Sequence, residues 1–263
     1  MNFNFFKNIK LKSTVWLVLA LLLVSAVIIF VESKQSEKTL NNVVVNIHND
    51  YENYFIDESD VLKLITNDDR ELILHKNYDS INLKKMEQRV RTHHFVEDAQ
   101  VFKDHKGNLV VDVAQCRPLA RIIPNDGIGA YISDQGITLN TSQKFTARVV
   151  IVDGSFTKKM MLPNFFSTEE GQPYFEFLSF IESTPFWKAQ IAQITIDKNG
   201  DMSLTPQVGS EVIEFGTPEN YEEKLHKLMV FYKKILPLKG WNTYDVVKVK
   251  FKNQIVCEKA AAI

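Results

Sequence analysis

The residues most able to do chemistry are two adjacent histidines that two acids follow closely. Imidazole nitrogens and carboxylate oxygens are common metal ligands. The four candidates are His93, His94, Glu97 and Asp98. Adjacent side chains on a helix point about 100° apart, however, so the two histidines are poorly placed to bind one ion. A solvated helix end explains the pattern better, and we predict no metal and no cofactor.

Covalent catalysis has equally little support. Ser155 follows Asp153 and Gly154, but the surrounding residues lack the elbow pattern that presents a hydrolase nucleophile. The sequence contains neither a G-x-G-x-x-G pattern nor a P-loop. If the protein were an enzyme, a periplasmic hydrolase would be the candidate class. Such an enzyme would need a cluster of polar side chains that no residue spacing in this sequence indicates. We predict a protein that is not an enzyme and takes no small-molecule substrate.

Charge and cysteine content limit the remaining classes of function. The chain has 31 Lys and Arg against 32 Asp and Glu, with no basic cluster beyond its N-terminal flank, so we expect no nucleic-acid partner. Cys116 and Cys257 lie too far apart in sequence for a CxxC redox pair or a zinc knuckle. A disulfide between them and two buried small thiols are both open alternatives.

An apolar stretch near the start of the chain indicates a membrane anchor. No ionisable side chain occurs from Ser13 to Val31, and at about 1.5 Å per residue this run approaches the roughly 30 Å of a bilayer's hydrocarbon core. A buried core helix would keep a polar stripe, and a cleaved signal peptide would have a shorter run that ends at a small-x-small site. We therefore predict a transmembrane helix over residues 13–31.

The charges that flank the stretch predict its orientation. Lys7, Lys10 and Lys12 precede it without any acid, whereas acids and lysines mix after it. By the positive-inside rule, residues 1–12 form a cytoplasmic tail. Residues 32–42 are then a linker to extracytoplasmic domains.

The segment after the linker predicts a compact α+β unit. A β-branched run, Val43–Ile47, predicts a strand, and Asp57 with Asp60 predicts a capped helix start. A second helical pattern begins at Asn82. The two strands that complete the unit are Val96–Val101 and Leu109–Ala114.

The second half of the chain predicts an antiparallel sheet and two helices. Short runs of high β-propensity alternate there with turn signals. The runs are Arg148–Val152, Ile191–Asp197, Met202–Pro206, Glu211–Phe215 and Asp245–Phe251. A helix over Glu170–Glu182 and a longer helix, capped by Thr217 with Pro218 in its first turn, should pack on the sheet.

The last two strands are the best candidate for a binding surface. Val247, Val249 and Phe251 alternate with lysines, which predicts one inward face and one solvent face. After a turn, Gln254–Glu258 forms a second strand whose outer edge is expected to be open. An open edge can accept a partner's strand, and an ordinary frayed terminus is the alternative.

Taken in order, these elements resemble the FtsQ/DivIB cell-division family. Phe95–Val101 and Gln115–Ile122 resemble strand motifs of its POTRA domain, and Tyr131–Ile137 with Ala147–Gly154 resembles the start of its β domain. The strongest similarity is to the FtsQ proteins of the Bacteroidetes-type group. The segments that carry it are Thr205–Gly209, Ile213–Gly216, Lys224–Leu228, Phe231 with Tyr232, Gly240 with Trp241, Tyr244 and Asn253–Cys257.

The resemblance implies a fold class and a partner. We expect an α+β protein with a single N-terminal transmembrane helix, a POTRA domain over residues 43–122 and an antiparallel β-rich domain with flanking helices over residues 123–263. Members of the family bind the FtsB/FtsL pair by strand addition at the last strand. The residues expected to bind such a partner are Phe251, Asn253, Gln254, Ile255, Val256, Cys257 and Glu258.

The resemblance also implies a function and a location. We expect a non-enzymatic divisome scaffold that links early and late division proteins. It would be a single-pass type II protein of the inner membrane, with its C-terminal domain in the periplasm at the division septum. Val152–Gly154 and Lys248–Lys250 depart from the family pattern, so contacts that depend on those positions are not expected here. A membrane-anchored POTRA module for outer-membrane protein assembly or secretion is the alternative.

Overall fold

Two compact units make up the protein. The computed structural model describes residues 13–36, 39–49, 52–68, 73–74, 77 and 80–260. Within these limits, the first unit takes its residues from 1–48, 57–93 and 98–113, and the second from 49–56, 94–97 and 114–263.

A helix, α1, spans Ser13–Ser36 in the first unit. The side chains of residues 15–29 are all exposed, and most of them are apolar. In the part of the chain that the structure describes, no helix has both the length and the apolar character needed to cross a membrane. The structure therefore does not show the transmembrane helix predicted over residues 13–31. The predicted tail, residues 1–12, lies outside the described residues.

The rest of the first unit has the predicted order of strand, helix, helix, strand, strand. Its elements are β1 (Asn42–His48), α2 (Glu58–Thr66), α3 (Leu83–Arg91), β2 (Val96–Lys103) and β3 (Asn108–Gln115). The strands form a sheet in the order β1-β3-β2. Leu109, Val111 and Val113 of the central strand are fully buried, as the alternating pattern predicts.

Local capping begins α2 and α3 where the sequence predicts. The Asp57 carboxylate accepts from the Asp60 N–H at 3.0 Å, and the Asp60 carboxylate accepts from the Asp57 N–H at 3.1 Å. This is a complete capping box. Asn82 likewise accepts from the N–H of Lys85 at 3.0 Å. Capping fixes where each helix starts, and the apolar spacing then turns Val61, Ile65, Met86 and Val90 inward.

The second unit is built on one large sheet with helices packed against it. Its strands are β4 (Pro118–Ile123), β5 (Ala130–Ser133), β6 (Thr138–Asn140), β7 (Val150–Asp153), β8 (Ile191–Ile196), β9 (Met202–Pro206), β10 (Val212–Gly216), β11 (Tyr244–Lys248) and β12 (Val256–Lys259). Its helices are α4 (Thr157–Met160), α5 (Gln172–Ser183), α6 (Pro185–Gln190), α7 (Tyr221–Val230) and α8 (Leu236–Lys239). The strands lie in the order β12-β11-β10-β9-β8-β7-β4-β5-β6.

This sheet is mixed, so the prediction of an antiparallel sheet is wrong. β4 with β7, β7 with β8, and β10 with β11 are parallel pairs. The described strands make their other pairs antiparallel. Parallel neighbours need a long crossover connection, usually helical. Helices α4 to α6 connect β7 to β8, and α7 and α8 connect β10 to β11, so the helices themselves make these pairs parallel.

An aromatic core lies between the helices and the sheet. Phe177 of α5 and Phe215 of β10 are fully buried, with ring centroids 5.0 Å apart. The apolar side predicted for this helix is confirmed, because Tyr174, Leu178 and Ile181 are buried with Phe177. This packing holds the sheet rigid beneath its edge strands.

Helix α7 begins later than predicted. Thr217 and Pro218 precede the helix, and Asn220 takes a left-handed conformation with φ 53° immediately before Tyr221. Thr217 offers its carbonyl to the Lys224 ammonium at 2.7 Å and does not act as a side-chain cap. The predicted apolar stripe is confirmed, and it continues through a π-helical turn, Phe231–Ile235, into α8.

Candidate partner-binding edge

Strand β12 lies at one end of the nine-stranded sheet. It pairs antiparallel with β11, where Cys257 faces Val247 and Val256 faces Lys248. Among the described residues, no strand lies on the other side of β12. An edge strand therefore occupies the place where the sequence predicts one, with its bounds shifted towards the C-terminus.

The pairing with β11 fixes which way the backbone of β12 faces. Just after the strand, the Ala260 N–H donates to the Thr243 carbonyl at 3.0 Å, so Ala260 faces the β11 side. The register shift between Tyr244 and Val246 adds a residue to β11 and leaves β12 regular. Successive N–H groups of a regular strand point to alternate sides, so the side that each N–H of β12 faces follows from the direction of the Ala260 N–H.

Alternation then separates the inward from the outward backbone groups. The N–H groups of Val256 and Glu258 turn towards β11, and those of Cys257 and Lys259 turn to the open side. Lys259 was missed by sequence analysis, which ended the strand at Glu258. The period of two would have placed Lys259 on the same edge as Cys257, but only the register with β11 shows that this edge is the open one.

The side chains of the edge alternate between core and solvent. Ile255 and Cys257 are partly buried and pack against the main core. Gln254, Val256 and Glu258 are exposed. The sheet thus fixes one face of the strand and leaves the other face available for contact.

Ion pairs connect the exposed faces of the last three strands. The Lys248 ammonium lies 2.7 Å from Glu258 on β12 and 3.3 Å from Glu214 on β10. Glu214 also lies 2.7 Å from Lys250. The carboxylates, Glu258 first, raise the pKa of Lys248. The hydrogen bond from Lys250, supported by that from Lys248, lowers the pKa of Glu214.

The prediction that Phe251 faces inward is wrong. Val247 and Val249 are fully buried, but Phe251 is 41% exposed. The chain leaves the sheet after Val249, whose N–H donates to the Glu214 carbonyl at 3.1 Å. The Lys227 ammonium donates to the Phe251 carbonyl at 2.7 Å, and this bond holds the turn against α7.

The expected binding residues thus fall into two groups. Val256, Cys257 and Glu258 lie in β12, and Gln254 and Ile255 lead directly into it. Phe251 and Asn253 lie in the preceding turn, where Asn253 is left-handed with φ 58°. The backbone of the first group is what another strand would contact.

The candidate metal ligands have other partners. Asp98 lies 2.7 Å from Arg91, and Glu97 accepts a hydrogen bond from Gln135 at 2.5 Å. Across the described part of the chain, no group of three or more His, Cys, Asp or Glu residues is arranged to hold a metal ion.

Both cysteines are free in the structure. Burial raises the pKa of Cys116 to about 11 and also raises the pKa of Cys257. Each thiol is therefore protonated at neutral pH and reacts slowly as a nucleophile.

Comparison with known protein families identifies both parts of the chain. A family model described as "FtsQ/DivIB, C-terminal related" matches residues 117–258. A model described as "POTRA-like domain" matches residues 39–114. Among curated proteins, none matches the chain. Because the first model covers more than half of the sequence, the chain belongs to the FtsQ/DivIB C-terminal related family, which points to a role in cell division.

Proposed function

We propose that this protein is a non-enzymatic divisome scaffold that binds an FtsB/FtsL-like complex by strand addition at β12. The observation that carries the proposal is the terminal position of β12 in the sheet, with an open side among the described residues. A scaffold of this kind would link early and late division proteins at the septum. The match to an FtsQ/DivIB-related model over residues 117–258 supports this role.

The backbone of β12 supplies the general part of the proposed contact. The outward N–H groups of Cys257 and Lys259 alternate with carbonyls, and a partner strand would satisfy both kinds of group. Because β11 and the core hold β12 in place, little ordering entropy would be lost on this side of the interface.

Side chains around the edge would supply specificity. Val256 offers an apolar contact on the solvent face, while Glu258 is held by Lys248 at 2.7 Å. A partner strand that places an apolar residue beside Val256 and a cation near Glu258 would match this pattern. Phe251, at the turn, would extend the apolar contact.

We further propose that the protein is a single-pass type II protein of the inner membrane, with the folded parts that follow α1 in the periplasm. The uncharged apolar sequence from Ser13 to Val31 and the basic residues before it support this location. The exposure of the apolar side chains over residues 15–29 also supports it, because such a surface is unfavourable in water. Confinement to the membrane would raise the effective concentration of the partner, so a modest edge contact could suffice.

The experiment that tests this function is a titration of the detergent-solubilised full chain with the FtsB/FtsL-like pair of the same organism. We expect saturable binding, and depletion of the protein in cells should block septation. If the intact chain fails to bind the pair, strand addition is excluded as its mode of action. If depletion damages the outer membrane while septation proceeds, the outer-membrane assembly role replaces the division role.

A further inference from the structure

The second unit contains a cavity of about 620 Å³ that the proposed division contact does not use. Arg117, Arg148, Lys188, Glu182, Tyr54 and Phe145 are among the residues that line it. Its volume falls within the range of ligand pockets, about 300–1,000 Å³. The cavity lies next to β4, six strands from β12, which corresponds to roughly 29 Å across the sheet.

A buried carboxylate organises the cavity wall. The Glu182 side chain is only 5% exposed and forms an ion pair with Lys188. The same oxygen lies 3.7 Å from the Arg117 guanidinium. Burying a charge is unfavourable unless other charges compensate it, so Glu182 and these two cations constrain one another. The result is a pair of cations held beside one buried carboxylate.

A third cation adds charge that the described structure does not neutralise. Arg148 is exposed and makes no ion pair with any described residue. The three cations face two carboxylates, Glu182 and Glu52, so the lining carries one net positive charge. This excess charge, with Arg148 exposed, lets the cavity bind an anionic group.

Part of the lining is apolar. Tyr54 and Phe145 pack edge to face, with ring centroids 5.6 Å apart, and Val149 and Pro118 also line the cavity. A ligand that fits both parts must combine anionic and apolar groups. The position between Arg117 and Lys188 is already occupied by Glu182, so the cations do not converge on a point that would suit one phosphate. The two carboxylates would also repel a polyphosphate chain.

We propose that this cavity binds an acidic peptide segment of a protein partner. One carboxylate of the segment would pair with Arg148, a second would meet the half-exposed Lys188 ammonium, and an apolar side chain would lie on Tyr54 and Phe145. This contact does not involve β12, so loss of binding at one of the two surfaces would leave binding at the other intact. The protein would then hold two partners, or two parts of one partner, at once.

The test uses the detergent-solubilised full chain and a fluorescein-labelled hexapeptide, acetyl-Glu-Leu-Glu-Gly-Glu-Leu-amide. A neutral control peptide carries Gln in place of each Glu. We expect the acidic peptide to bind more tightly than the neutral control peptide, and we expect added salt to weaken binding of the acidic peptide. Arg148→Gln should weaken binding about tenfold or more, since a hydrogen bond to a charged group is lost. Arg148→Lys should restore part of the affinity.

Lys198→Gln is the matched control, because it removes one exposed cation from the Asp197–Asp201 turn and should leave binding unchanged. Equal affinity for both peptides, or no effect of Arg148→Gln, would overturn the proposal. Displacement of the peptide by millimolar inorganic phosphate would also overturn it, because the site would then recognise a bare anion. Absence of binding of the acidic peptide at millimolar concentration would likewise overturn the proposal.

Discussion

The Lys248 ammonium lies 2.7 Å from the Glu258 carboxylate, so an ion pair joins the edge strand β12 to its neighbour β11. The same ammonium reaches Glu214 on β10 at 3.3 Å. One lysine thus bridges three strands across the face beside the proposed binding edge. Lysines commonly protect an exposed edge, but Lys248 lies on the penultimate strand and pairs with the edge strand.

Removing this bridge should loosen β12. We expect Lys248→Ala to accelerate amide hydrogen exchange of Val256 and Glu258, because their N–H groups face β11 and stay protected only while the pair is intact. Exchange of the buried Phe215 amide in the adjacent core strand is the internal reference and should change much less. Equal acceleration in both strands would indicate global destabilisation and contradict this role of Lys248.

The lowered pKa of Glu214 predicts a pH-dependent contribution to stability. Lys250, followed by Lys248, holds the folded-state pKa below the ordinary value of 4.5, so the folded protein binds this proton less readily than the unfolded chain. The contribution is therefore present above pH 4.5 and is lost as the pH falls through the lower folded value. The free energies of urea unfolding of the wild type and Glu214→Gln should differ at about pH 6, and this difference should shrink as the pH falls below 4.5. A difference that grows on acidification would contradict this assignment.

The aromatic core predicts a large effect at Phe177. The side chain is fully buried against Phe215, so Phe177→Ala should lower the free energy of unfolding by about 3–5 kcal/mol. Leu238 is 84% exposed, and Leu238→Ala should change that free energy by at most about 0.5 kcal/mol. Denaturant titration of the two variants checks the assignment, which similar losses in both would contradict.

Backbone direction changes the expected result of a proline at Val256. If the Val256 N–H faced the open side of the edge, this substitution would remove an outward N–H and leave the domain folded. The structure turns that N–H towards β11, so Val256→Pro should break the pair and expose Cys257. The Cys257 thiol should then be alkylated by iodoacetamide faster than in the Val256→Ala control. Unchanged alkylation would mean that β12 stays paired without this bond.

Local chemistry explains how much of the fold the sequence could predict. The capping box of Asp57 and Asp60 and the apolar spacing of Val61 and Ile65 depend on residues a few positions apart. Short-range patterns also located β8 and β9 to within one residue of their observed bounds. These elements were predicted because their determinants are local.

Strand direction and edge geometry depend on distant contacts, and the sequence did not reveal them. The helical connections predicted between strands should have indicated parallel pairs, but short β runs were assumed to form hairpins. Phe251 fits the alternating pattern of Val247 and Val249, yet the chain turns away after Val249. The outward N–H of Lys259 depends on the register with β11, which no pattern within β12 specifies.

Strand addition at β12 is tested most directly by the affinity of the full chain for the FtsB/FtsL-like pair in two variants at one position. Lys259→Pro removes an outward N–H from an exposed residue, whereas Lys259→Ala keeps the N–H and removes the same side chain. Strand addition predicts at least about tenfold weaker binding for the proline variant than for the alanine variant, with equal thermal stability in both. Equal affinities of the two variants would contradict strand addition at this edge.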